Sequence, residues 1–163
     1  MIITFSGTDG SGKSTQIEIL MSEFIRQGFR VKYVWSRGGY TPLFSALKKI
    51  LRILTAKRLP NEGNSSSRDE LLKNKSVSGV WLTIATLDLL MFYGVYVRIM
   101  SWFGMVVVCD RYIEDTLIDF KRNFPDTFDD QSFLWRLLVL FIPRPNQSFL
   151  LFVPVDVSLI RSK

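Results

Sequence analysis

Gly7-Thr8-Asp9-Gly10-Ser11-Gly12-Lys13-Ser14-Thr15 lies between an apolar run, residues 2–6 (IITFS), and a stretch with helical apolar spacing. It fits G-x-x-x-x-G-K-[ST], a loop whose backbone N–H groups close around phosphate oxygens. At average composition a chance match in a chain this long has odds of roughly half a percent. Each residue type has a chemical reason. The glycines remove side chains where a phosphate approaches the backbone. The following helix N-terminus adds its dipole. Lys13, expected on the loop surface, brings a cation to the terminal phosphates, and Ser14 offers a hydroxyl to Mg²⁺.

Working outward, residues 2–6 read as a buried strand and 14–27 as an amphipathic helix carrying Ile17, Leu20, Met21, Phe24 and Ile25 on one face. Gly28 stands where a C-terminal cap belongs. Residues 29–35 alternate as a second strand. A basic helix at about 43–54 and a polar loop at 56–70 follow. A long helix spans about 70–102, with a break expected near Ser76 or Gly79. Residues 105–109 (MVVVC) form a third strand leading to Asp110. Helices are expected at 113–121 and 130–141, a fourth strand at 148–153, and a helix starting at Asp156. Mostly apolar strands alternating with helices imply an α/β chain: a three-layer P-loop NTPase fold, its parallel sheet carrying helices on both faces. Residues 1–163 read as a single domain.

Composition narrows the chemistry. With 163 residues, 47% hydrophobic and 22% charged, the chain has the makings of a globular core. It has no His and a single Cys, Cys109. That excludes a His-based triad and a disulfide framework, leaves almost nothing to ligate zinc, and fits a reducing, cytoplasmic setting. The net charge of +6 fits an anionic partner. The cluster Lys48, Lys49, Arg52, Lys57 and Arg58 reads as a solvated helix face or a surface that attracts nucleotide phosphates, so no nucleic-acid partner is expected. Residues 77–97 carry one charge, Asp88, over a length that can span a bilayer. A carboxylate near the centre of a span costs about 2.5–3.5 kcal/mol on insertion scales. A buried helix is therefore expected, not a membrane segment.

Asp110 closes the constellation, because an acid at the tip of an apolar strand beside such a loop can hold Mg²⁺. Asp9-Gly10-Ser11-Gly12-Lys13-Ser14-Thr15 together with Asp110-Arg111-Tyr112 resembles the thymidylate kinase family of nucleoside monophosphate kinases. The resemblance covers most of the chain but not the family's C-terminal lid and adenine-binding part, so the chain is expected to be short relative to the family. It implies ATP and Mg²⁺ as cofactors and a nucleoside monophosphate such as dTMP as acceptor. It also implies roles: Asp9 on the acceptor sugar, Arg37 on the acceptor phosphate, Arg111 bridging donor and acceptor phosphates, Tyr112 lining the acceptor pocket. In the family pattern two residues separate the arginine from the glycine pair, whereas Arg37 adjoins Gly38-Gly39. The resemblance further implies a homodimer through the apolar helix at 77–100. The family's base-stacking Phe and base-reading Arg fall here at Ala85 and Leu89, which can do neither, while Trp81 and Phe92 are nearby aromatic substitutes. A related kinase with another acceptor, or a degenerate nucleotide-binding module, remain alternatives.

Overall fold

The computed structural model describes residues 1–35 and 75–154. The expected basic helix, polar loop, Arg37 and the helix from Asp156 lie outside them. Two compact units are distinguished; the first includes the described residues 1–35, 95–116 and 143–154, the second 75–94 and 117–142.

The first unit is built on four strands: β1 (Ile2–Gly7), β2 (Val31–Trp35), β3 (Val106–Asp110) and β4 (Gln147–Leu151). Their order is β2-β3-β1-β4, and all neighbours are parallel. α1 (Lys13–Arg26) follows β1. Ile3 and Phe5 of β1 and Val106 and Val108 of β3 form a cluster with Ile17, against which Leu20, Met21 and Phe24 also pack. The alternate residues Ile2, Thr4, Val107 and Cys109 are buried too, so both sides of the central strands are covered. This is why β1 and β3 read as continuous apolar runs instead of alternating ones. Gly28 adopts φ 84°, and the Phe29 N–H reaches back to the Phe24 carbonyl at 3.0 Å, ending α1 where expected.

α2 (Lys75–Leu89), a π-helical stretch Leu90–Val97 and α3 (Arg98–Trp102) run on without interruption. The break expected near Ser76 or Gly79 is absent. The irregularity is the wider π turn instead, a form that relieves crowding or inserts a residue in an otherwise α-helical path. α4 (Ile113–Asn123) carries Glu114 and Asp115 in its first turn and Lys121 and Arg122 in its last, each favourable to the helix dipole. α5 (Phe133–Phe141) is capped by Ser132, whose side chain accepts from the Trp135 N–H. The core of the second unit is aromatic: Trp81 stacks on Phe124 with ring centroids 5.0 Å apart, while Phe120, Phe128 and Trp135 meet edge-on or tilted around it.

Candidate active site

The site is assembled where β1 and β3 end side by side. Phe5 is paired with Asp110, so the residues that follow each strand emerge together. Gly7 turns the chain out of β1 at φ 143°, and a Cβ there would lie 2.0 Å from the Leu151 carbonyl oxygen of β4. Only glycine fits. Gly12 adopts φ 84° as the N-cap of α1 and supplies no capping side chain. The first N–H groups of α1 therefore have no side-chain acceptor from their cap, which leaves them for an anion.

Lys13 departs from its expected place on the loop surface. It is 9% exposed, and its Nζ donates to the carbonyls of Gly7 and Thr8 at 2.9 and 2.7 Å. The ammonium is thus folded back along the loop it serves. Ser14 and Thr15 are exposed at the start of α1, Thr8 and Asp9 are exposed at the loop tip, and Gly10 is left-handed at φ 74°. Ser11 turns its hydroxyl inward, where it is buried without a hydrogen-bond partner among the described residues.

Asp110 ends β3 and is 8% exposed. Its Oδ2 accepts from the Tyr33 hydroxyl at 3.0 Å, while its buried Oδ1 has no hydrogen-bond partner among the described residues. A buried carboxylate oxygen left open beside a phosphate-type loop fits a cation with few protein ligands. Mg²⁺ is such a cation, since it keeps waters and phosphate oxygens in most of its positions. Among the described residues no cluster of three or more acidic, His or Cys side chains stands elsewhere as a metal centre. Tyr33 is 43% exposed, and partial burial, then its hydrogen bond to Asp110 and that residue's charge, push its hydroxyl up to about 12. It therefore stays a donor at neutral pH.

Arg111 sits next, at φ 75°, a left-handed conformation unusual for a residue with a side chain. Its Nη2 donates to Asp9 at 3.0 Å, tying the strand end to the phosphate loop. Tyr112 is buried and its hydroxyl donates to the Pro143 carbonyl at 2.6 Å, a packing role. The structure thus brings together the loop, Asp110 and Arg111. Tyr33, Ser6 and Asp115 were not legible as site residues. Tyr33 reads as one of several strand aromatics. Asp115, at the third position of α4, carries the signal of a helix-capping acid.

Cys109 is fully buried and its thiol is pushed up to about 12 by that burial, so it is no nucleophile. On α2, Ala85 and Leu89 are fully buried and Asp88 is 4% exposed. Trp81 belongs to the aromatic core, and Phe92 packs edge-on against Tyr93 at 5.3 Å. A cavity of about 230 Å³ lined by Arg98, Ser101, Trp102, Arg144 and Asn146 lies toward the starts of β1 and β4, away from the loop.

No protein-family model matches the chain. Curated relatives do. It is 27% identical over 169 residues to a probable thymidylate kinase of Pyrococcus abyssi, covering 99% of this chain and 69% of that protein. It is 30% identical over 123 residues to a thymidylate kinase of Symbiobacterium thermophilum, covering 72% of this chain and 47% of that protein. Among solved structures, the crystal structure of thymidylate kinase from Ehrlichia chaffeensis superposes with a TM-score of 0.51 at 23% identity, over 98% of this chain and 78% of that one. That likeness shows the α/β P-loop NTPase fold. The loop geometry, the Asp110-Arg111 strand end and the curated relatives together support a member of the thymidylate kinase family.

Proposed function

We propose that the chain is an ATP-dependent nucleoside monophosphate kinase of the thymidylate kinase type, passing the γ-phosphate of ATP to a nucleoside monophosphate such as dTMP. Residues 1–163 act in this reading as one kinase domain in the cytoplasm. The observation that carries it is the open, buried Oδ1 of Asp110 beside the phosphate loop and Arg111.

Phosphoryl transfer needs little covalent chemistry from the protein; it needs positioning and charge neutralisation. The loop from Gly7 to Thr15 cradles the donor phosphates with backbone N–H groups. Lys13 exchanges its two loop carbonyls for phosphate oxygens. Arg111 exchanges Asp9 for the phosphates that meet at the reacting centre, and Asp9 is then released toward the acceptor sugar. Arg37, outside the described residues, is assigned to the acceptor phosphate. Ser14 and Asp110 would hold Mg²⁺, which when bound neutralises phosphate charge. An acceptor oxygen attacks the γ-phosphorus in line while ADP leaves. No protein nucleophile takes part.

The base-reading positions set a test. Ala85 and Leu89 are apolar and fully buried, so neither offers a hydrogen bond to a base. A site that hydrogen-bonds its base rejects the wrong one because a mismatch strands buried polar groups. Without that lever, at least two pyrimidine monophosphates are expected to bind within about tenfold, or roughly 1.4 kcal/mol, of each other. Titrating each one against magnesium–nucleotide-loaded protein, with ADP release as the turnover readout, measures this. No turnover with any nucleoside monophosphate, in folded protein that binds ATP, favours the degenerate nucleotide-binding module.

A further inference from the structure

We propose that Asp115 is a positioning residue that holds Arg111 in place for phosphoryl transfer; the proposal rests on the kinase reading above. Between the end of β3 and the start of α4 the chain has only Arg111 and Tyr112 in which to turn. Arg111 makes that turn at φ 75°, a conformation that persists only when its surroundings over-determine it. Two backbone bonds do so. The Arg111 N–H donates to the Phe5 carbonyl at 2.8 Å, and the Tyr112 N–H donates to Asp115 Oδ2 at 3.1 Å.

The same Oδ2 accepts from the Ser6 hydroxyl at 2.5 Å, and Ser6 is the residue just before the phosphate loop. The other oxygen of Asp115 stands 4.0 Å from Arg111 Nη1. One carboxylate therefore caps α4, ties the end of β1 to it and flanks the guanidinium.

Arg111 lies between two carboxylates of unequal standing. The Asp9 side chain is 77% exposed, whereas that of Asp115 is 14% exposed. An exposed pair on a loop tip is weak and gives way to an incoming phosphate. The less exposed partner, fixed by Ser6 and the Tyr112 N–H, stays. Asp115 thus keeps Arg111 aimed beside the loop before substrates arrive, so its ordering is already made when charge develops.

The test is a double-mutant cycle of Asp115→Ala and Arg111→Ala, followed with ATP saturating and the acceptor varied. Asp115→Ala is expected to lower kcat about 10- to 100-fold, the cost of a misplaced group, with acceptor KM changed less than about threefold. In the Arg111→Ala background it is expected to lower kcat no further. An equal fall in both backgrounds, or no fall in the first, overturns the proposal. Asp115→Asn keeps an acceptor for Ser6 and Tyr112 and removes the charge; should the alanine variant fail to fold, the asparagine variant runs through the same cycle with the same criteria. A wild-type protein that transfers no phosphoryl group overturns the kinase reading itself; an active wild type with an additive cycle overturns the role of Asp115 alone.

Discussion

Lys13 has two roles at once, and its replacement should show both. Its ammonium is buried against the Gly7 and Thr8 carbonyls. A hydrogen bond from a charged group contributes about 1.5–3 kcal/mol. Lys13→Ala is therefore expected to abolish phosphoryl transfer, to weaken ATP binding sharply, and also to lower the unfolding free energy by about 2 kcal/mol. Urea denaturation and ATP titration of the same preparation check the two effects. Unchanged ATP affinity in folded mutant protein would remove the donor-site assignment. Tyr33 gives a test by pH. Its folded pKa, pushed up to about 12, lies above the ordinary value of 10.0. Its contribution is then complete below about pH 10 and is lost as pH rises toward 12. The stability difference between wild type and Tyr33→Phe should accordingly shrink across that window. Cys109, also pushed up to about 12, titrates there in both proteins and cancels in the difference. A difference that stays constant from pH 9 to 12 would show that the Tyr33–Asp110 bond is not formed in solution.

The elements were mostly legible, for reasons that differ along the chain. β1, β3 and α1 declare themselves because both faces of a central strand, and one face of the helix on it, must be apolar. Gly7 and Gly12 announce the loop because their φ angles of 143° and 84° exclude ordinary side chains. The Gly7→Ala variant is expected to lose about 3 kcal/mol, from strain at that φ together with the clash against Leu151. A urea midpoint within error of the wild type would mean that β4 lies farther from the loop than described. What the sequence hides is pairing across strands. Tyr33 meets Asp110 only because β2 lies beside β3, and Ser6 meets Asp115 across 109 positions of chain. No local period encodes such a meeting. Lys13 was misjudged as a surface residue because loop lysines are usually solvated. The helix irregularity was misplaced for a related reason. Ser76 and Gly79 are weak helix formers, yet tertiary packing overrides propensity: Ser78, beside Gly79, is buried and its hydroxyl donates to Thr127 Oγ1 at 3.1 Å.

At the scale of the whole molecule, the open question is what covers the long helix. Val77–Trp102 is long and apolar enough to cross a membrane; its most apolar 18-residue window has a mean hydropathy of 1.7 and is only 39% buried. The two sides of the helix differ. One carries Leu82, Ala85, Leu89, Tyr93 and Val97, all buried, along with the buried polar residues Ser78, Thr86 and Asp88. The other exposes Val77, Val80, Leu87, Met91 and Val95 at spacings of three, seven, four and four. A membrane span would meet lipid on most of its circumference, whereas this helix has one side committed to a protein interior that holds a carboxylate. A single uncovered apolar stripe fits a flat protein contact, and a second copy presents the same stripe to it by two-fold symmetry. Burying a Leu or Met side chain contributes about 1.5–3 kcal/mol, so a few such residues per subunit suffice to drive association. The protein is therefore expected to be soluble without detergent and dimeric by light scattering. Leu87→Glu combined with Met91→Glu should yield a monomer, since two like charges would face each other across the contact, while the far-ultraviolet spectrum stays that of the wild type because both side chains are already exposed. A wild-type monomer, or protein recoverable only with membranes, would sink the dimer.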